Sequence, residues 1–358
     1  MSKVNYLTKR TVRAARIPLC LALYVVAAAP TRSAPSARPP SVTAAPVIVD
    51  TDAGADDVMA IALLLASPAV RVEAVCITTG LAHVQPGAAN ILRLLELAGR
   101  SDIPVYLGRP VPLSGSRQFP AEWRRESDML TGVTLPRARR SPEPRSAREF
   151  LAERLRDRAH PVDVLALGGL TNLAQVFQTS PSASLGIRRL VIMGGAIGVP
   201  GNLGDGGITH NRTAEWNFFV DPEAARRVFA SGAPIRLIPL DATRRVPIDR
   251  TLARDLQGAG ASPLARAVIE VLGSVGPTID RGSYFAWDPL AAAVLIDPSL
   301  VRFQPAGIMV RQHAPEDGRT VALRGGARRN AQVAMDADAA RFRRLFIDTL
   351  SGRSAGTQ

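Results

Sequence analysis

Four aspartates, Asp50, Asp52, Asp56 and Asp57, fall within the short run VIVDTDAGADDVMAI. A helix N-cap accounts for one of them, because one carboxylate is enough to accept orphan N–H groups of a first turn. The others repel one another unless a cation sits among them, and the run contains no Lys or Arg. A hard divalent cation is the economical solution, since calcium takes roughly six to eight oxygen ligands and magnesium about six. Softer metals have less to bind. His83, His160, His210 and His313 have no ligand-like spacing, and Cys20 and Cys76 are too few for a four-cysteine zinc site or a disulfide framework.

The elements around this cluster follow from apolar periodicity. Gly54 allows a tight turn between PVIVDT (46–51), which reads as a strand, and DVMAIALLLA (57–66), which reads as a helix with Asp56 or Asp57 at its N-cap. Further strands are expected at 72–79, 162–167, 189–193 and 235–240, and helices at 88–98, 170–177 and 222–230, with Asp221 capping the last. Continuous apolar strands separated by helices predict an α/β fold, an open, mostly parallel sheet with helices on both faces, in one domain over 46–358. Two irregular stretches, the Pro/Arg/Ser-rich 110–145 and the Gly-rich 193–217, belong at the carboxyl ends of such strands, where ligands bind.

The 358-residue chain is 46% hydrophobic and 21% charged, which excludes a disordered or fibrous protein. Its net charge of +13 is concentrated at the front. Lys3, Lys9, Arg10, Arg13, Arg16, Arg32 and Arg38 precede Asp50 with no acidic residue among them, leaving +6 for the rest, an ordinary basic surface. With few aromatics and no recognisable motif, nucleic acid is not an expected partner. The basic run to Arg16, the apolar IPLCLALYVVAAA (17–29) and the small, polar residues that follow are the three parts of a secretory signal, and the Pro/Ser/Ala stretch continues as a tether, so residues 1–45 are assigned to export. The apolar run is shorter than the roughly 20 residues of a membrane span, so membrane attachment requires an uncleaved signal. Export places the domain in the periplasm or outside the cell.

VIVDTDAGADDVMAI closely resembles the DTDPGxDDxxAI signature of the calcium-dependent, inosine-uridine preferring nucleoside hydrolases. Six further segments are similar to motifs of that family, in its order: ITTG (77–80) with Asn90, ALGGLTNLA (166–174), VIMGGA (191–196) with PGN (200–202), AEWNFFVDPEAA (214–225), LIPLDAT (237–243) and WDPLAAA (287–293). The resemblance spans about residues 46 to 350. It implies a Rossmann-like nucleoside hydrolase fold and hydrolysis of ribonucleosides to free base and ribose. It also implies calcium held by Asp52, Asp57, the Leu167 carbonyl and Asp288, with Asp56 as the general base toward water. Asn202, Glu215 and Asn217 would hold the ribose hydroxyls, and Met193 would line the sugar pocket. Assembly as a homodimer or homotetramer is likewise implied. The residue types suit the reaction: cleaving an N-ribosidic bond builds positive charge on the sugar, which nearby carboxylates stabilise.

The chain departs from the pattern at several places. Ala53 replaces the usual proline, which should mainly loosen the turn. Leu81 follows Gly80 where many members have Asn, the HGxxG-like loop is not recognisable in 115–134, and the loop 202–215 is expanded. Many members have His before the late aspartate, whereas this chain has Trp287. Tryptophan cannot donate a proton to the leaving base but can stack on it, which favours inosine, adenosine or guanosine as substrate. The alternative readings are an exported nucleoside-binding protein or a catalytically impaired relative, against which Asp56 stands, because binding alone needs no base. An aspartate-nucleophile phosphatase would need a later lysine, and none follows Lys9.

Overall fold

Among the described residues the chain forms ten strands: β1 (Ala45–Thr51), β2 (Val70–Ile77), β3 (Val105–Leu107), β4 (Val162–Ala166), β5 (Ile187–Met193), β6 (Ile235–Ile238), β7 (Val301–Ala306), β8 (Ile308–Val310), β9 (Thr320–Ala322) and β10 (Ala331–Ala337). This computed structural model describes residues 44–206, 209–260, 262–323 and 328–353. The segment assigned to export therefore lies outside the described residues except for its last two. Among the described residues no helix is long and apolar enough to cross a membrane.

Eight strands make one sheet in the order β3-β2-β1-β4-β5-β6-β10-β7, parallel at every pairing except β10 with β7. β8 and β9 form a separate antiparallel pair. Successive residues of a strand point to opposite faces, so β1 sends Val47 and Val49 into one apolar core and Ile48 into the other. Helices Ala55–Ala66, Pro263–Ser274, Trp287–Ile296 and Ala339–Leu350 cover the first face, and Ala147–Arg154, Thr171–Thr179 and Pro222–Ala230 the second. Burial on both faces explains why the strands lack polar alternation.

The order of strands decides where a ligand can sit. From β1 the chain builds outward through β2 and β3 on one side, then returns to build β4, β5 and β6 on the other. The reversal leaves a crevice beyond the carboxyl ends of β1 and β4, the usual ligand position in open α/β sheets. Asp52 follows β1, Leu167 follows β4 and Met193 ends β5.

Local differences from the sequence expectations have simple causes. The first helix begins at Ala55 with Gly54 as N-cap, so neither Asp56 nor Asp57 is the cap; Asp57 instead accepts the Gly54 N–H from inside the first turn, at 2.9 Å. Ala53 adopts φ +58°, a left-handed conformation closed to proline, whose ring holds φ near −65°. The change from proline thus alters the hand of the turn rather than loosening it. The strand expected to reach residue 240 stops at Ile238, because Leu240–Thr243 turns into a short helix. Asp221 does cap its helix, accepting from the Ala224 N–H at 3.1 Å, and it also accepts from Thr171 and from the Leu113 N–H, each at 2.7 Å.

Candidate active site

Aspartate carboxylates converge at the end of β1. Oxygen atoms of Asp56, Asp57 and Asp288 lie within 4.8 Å of one another. Asp57 and Asp288 are fully buried and Asp56 is half-buried, open to a cavity of about 560 Å³. Asp52 joins from the strand side, its Oδ2 accepting the Leu81 N–H at 2.9 Å. Thr51 donates its hydroxyl to Asp57 Oδ1. Backbone N–H groups, one hydroxyl and the neighbouring carboxylates hold this cluster.

The electrostatic consequence follows directly. Burial, then the charge on Asp57, raises Asp56 to about 7. The same two causes push Asp52 and Asp288 well above the usual carboxylate range. Asp57 is raised by burial but restrained by hydrogen bonds from Thr51 and its neighbours. An all-oxygen, acidic, buried donor set that makes no ion pair to a protein cation among the described residues fits a hard divalent ion. Glycines let the backbone close around it: a Cβ at Gly80 would lie 2.0 Å from Asp52 Oδ2, and one at Gly168 would lie 2.7 Å from Asp52 Cβ.

Asp50, the first aspartate of the run, is not part of this group. Its side chain is buried under the strand end, accepts from Asn172 Nδ2 at 2.8 Å and is raised by burial to about 7. The Leu167 carbonyl accepts the Asn217 side-chain amide at 2.8 Å, and the same amide reaches the Met193 carbonyl at 3.2 Å. A carbonyl has two lone pairs, so Leu167 retains one for a cation.

Opposite the aspartates, Glu215 is the N-cap of the helix Trp216–Val220. Its two oxygens accept the N–H groups of Gly195 and Asn217 at 2.9 Å each and of Phe218 at 3.4 Å. Burial nevertheless raises it to about 7, with those backbone donors opposing the rise. Asn202 accepts the Trp216 N–H at 3.2 Å, tying the Gly-rich loop to the same helix. The cavity is lined by Asp52, Asp56, Asp57, Met193, Asn202, Glu215, Asn217, Trp287 and Asp288 among others. Apart from Asp50, every side chain singled out from the sequence for the site is thus in one place, and Leu167 lies just behind with its carbonyl turned to Asn217.

Aromatic residues were mostly missed. Trp123 and Trp216 line the same cavity as Trp287, so all three tryptophans of the chain surround it. Phe119 stacks on Trp216 with centroids 4.7 Å apart, and Trp123 meets Trp216 edge-on at 5.7 Å. Phe119 and Trp123, the two aromatic residues within the Pro/Arg/Ser-rich stretch 110–145, were the available signal. Tyr284 packs edge-on against Trp287 at 4.9 Å and completes the wall. Leu81, where a polar residue was expected, lines the cavity as an apolar contact.

Comparisons with known proteins agree with this geometry. The model of the family described as inosine-uridine preferring nucleoside hydrolase matches residues 47–344. The pyrimidine-specific ribonucleoside hydrolase RihA of Escherichia coli O9:H4 is 33% identical over 326 residues, covering 87% of this chain and 98% of the relative. A purine-preferring ribonucleoside hydrolase from Gardnerella vaginalis superposes with a TM-score of 0.74 at 27% identity, over 86% of this chain and 98% of the other. An inosine-uridine preferring nucleoside hydrolase from Bacillus anthracis does so with a TM-score of 0.72 at 25% identity, over 86% and 99%. With the α/β sheet, its switch-point crevice and the carboxylate cluster in place, the chain belongs to the inosine-uridine preferring nucleoside hydrolase family and is a ribonucleoside hydrolase.

Proposed function

We propose that the enzyme prefers purine ribonucleosides, uses calcium, and employs Asp56 as the base that activates water. Asp52, Asp57, Asp288 and the Leu167 carbonyl would hold the ion. When bound, calcium supplies positive charge that offsets these carboxylates and polarises water and the ribose diol. Asp56 is the carboxylate left partly open to the cavity, beside the side chains that would hold the ion, which suits it to accept a proton from a water there. The water oxygen bonds to C1′ as the C1′–N bond breaks. Asp56 takes the water proton, and the bond's electron pair leaves with the base, which takes up a proton from solvent. Glu215, Asn217 and Asn202 orient the ribose, and the carboxylates stabilise positive charge on its ring.

One observation supports the purine preference above others: all three tryptophans line the cavity, with Trp287 directly before Asp288. Stacking favours the larger ring system. The pyrimidine-specific name of the E. coli relative points the other way, so the substrate ratio is the decisive measurement. Ribose release is measured from inosine, adenosine, guanosine, uridine and cytidine, with calcium and with chelator. The expected result is chelator-sensitive turnover, faster on purines, reduced at least about a hundredfold in Asp56→Ala. In Trp287→His the purine-to-pyrimidine ratio is expected to fall. Faster turnover of uridine and cytidine by the unaltered protein refutes the preference. We also propose, from the pattern of residues 1–45, that the protein is exported, and from the family resemblance that it assembles as a homodimer or homotetramer.

A further inference from the structure

The cavity is acidic where it is deepest and differently equipped at its rim. Asp57, Asp288, Glu215 and Asn217 are buried, whereas Arg281 and Glu126, which line the same cavity from separate elements, are exposed. Among the described residues Arg281 is the one cation in the lining. Its neighbour Asp280 is engaged by Arg250 at 2.6 Å. One Arg281 N–H goes to the Thr278 hydroxyl at 3.0 Å, and the other guanidinium donors have no partner among the described residues. The Glu126 carboxylate has none either, and no ion pair joins it to Arg281. Both backbones are anchored. Asn90 donates to the Ser127 and Asp128 carbonyls at 3.1 and 3.0 Å, fixing the helix Ala121–Met129 that carries Glu126. Arg281 is the C-cap of the helix Gly276–Asp280, and the two walls meet where Gly132 approaches Ser274, a Cβ on that glycine lying 3.2 Å from the serine Cβ.

We propose that Arg281 and Glu126 are specificity-determining residues that read the polar edge of the base and select the 6-oxopurine ribonucleosides inosine and guanosine over adenosine. The inference rests on the purine preference proposed above. The side chains that would hold the ion and the ribose are buried, so the sugar enters first and the base is left toward the rim. A guanidinium only donates hydrogen bonds and a carboxylate only accepts them. Hypoxanthine and guanine offer O6 and N7 as acceptors, the pair that arginine meets with two parallel N–H groups, and N1–H as a donor for a carboxylate. Adenine reverses the signs at C6 and N1, presenting an amino group to Arg281 and a lone pair to Glu126. Mismatches of this kind leave polar groups unpaired, which discriminates more strongly than a difference in apolar bulk.

The test measures kcat/KM in calcium for inosine, guanosine, adenosine, uridine and purine riboside, which lacks the 6-oxygen. The unaltered protein is expected to favour inosine and guanosine over adenosine and purine riboside by at least about tenfold. Arg281→Met keeps the length of the side chain and removes its donors. In this variant the inosine-to-purine-riboside ratio is expected to fall toward one, mainly through a raised KM on inosine, because the contact is made in the ground state as well. Glu126→Gln, whose amide both donates and accepts, is expected to raise adenosine relative to inosine. Thermal midpoints close to that of the unaltered protein show that both exposed side chains act on substrate rather than on folding. Adenosine and purine riboside turned over as fast as inosine by the unaltered protein overturn the proposal and leave the purine preference standing. Ratios that survive either substitution also overturn it, since two solvated surface charges would behave that way. Faster turnover of uridine than of any purine nucleoside overturns both readings.

Discussion

Replacing Asp288 with Asn should stabilise the protein without calcium and destabilise it with calcium. The sign change comes from the geometry of the carboxylate cluster. Oxygens of Asp56, Asp57 and Asp288 lie within 4.8 Å, and at an effective dielectric constant of about 20 each such pair repels by about 3 kcal/mol. Asn removes two of the three pairs. The cluster relieves itself in part by holding protons, as the raised pKa values of Asp56 and Asp288 indicate, so the net gain in chelator is set at about 1–2 kcal/mol. For a domain of this size that is about 2–4 °C in the thermal midpoint. In calcium at about 100 times its Kd, the unaltered protein gains about 2.7 kcal/mol, or about 5 °C. A variant binding a hundredfold more weakly gains only about 0.4 kcal/mol, so the order of stabilities inverts. Thermal unfolding followed by circular dichroism at pH 8, with calcium and with chelator, reads both numbers. An Asp288→Asn protein that is less stable in chelator, or that responds to calcium as the unaltered protein does, refutes the argument that this carboxylate is a ligand in a repulsive cluster.

Two further substitutions probe the scaffold. Asp163 on β4 is fully buried and bridged by Arg188 and Arg189, with Nε contacts at 2.8 and 3.1 Å. Burial raises its pKa, but the two guanidinium groups outweigh burial and leave it below 3.8. A carboxylate depressed in the folded state contributes stability above its unfolded pKa and loses it as pH falls through the folded value. Asp163→Asn should therefore cost about 3 kcal/mol at pH 7, by urea unfolding, with the difference from the unaltered protein shrinking below about pH 4; a pH-independent difference rejects the ion-pair explanation. Gly80→Ala should push Asp52 off its position, since the new Cβ would lie 2.0 Å from Oδ2 and 2.5 Å from Cβ of that residue. Expected losses are about 1–3 kcal/mol of stability and at least about tenfold in turnover, and calcium affinity by titration should fall with them; unchanged affinity shows the cradle to be loose.

The polar chemistry of this protein was legible in the chain because it is clustered. Asp52, Asp56 and Asp57 share one strand end and one helical turn, so local spacing alone brought them together. The alternation of apolar strands and helices likewise specified the sheet, since burial on both faces writes itself into uninterrupted runs such as Leu190–Met193. What local sequence left open was separation. Asp288, Glu215 and the Leu167 carbonyl meet the first cluster only because the strand order reverses beside β1, which no local pattern encodes. The apolar wall is the clearest case. Phe119, Trp123, Trp216 and Tyr284 are ordinary core residues by type, and only packing around one cavity makes them its lining. The left-handed turn at Ala53 and the buried hydroxyl of Tyr284, without a partner among the described residues, belong to the same class. Each is a consequence of surrounding structure overruling local preference, and that contest is settled only once the whole core has closed.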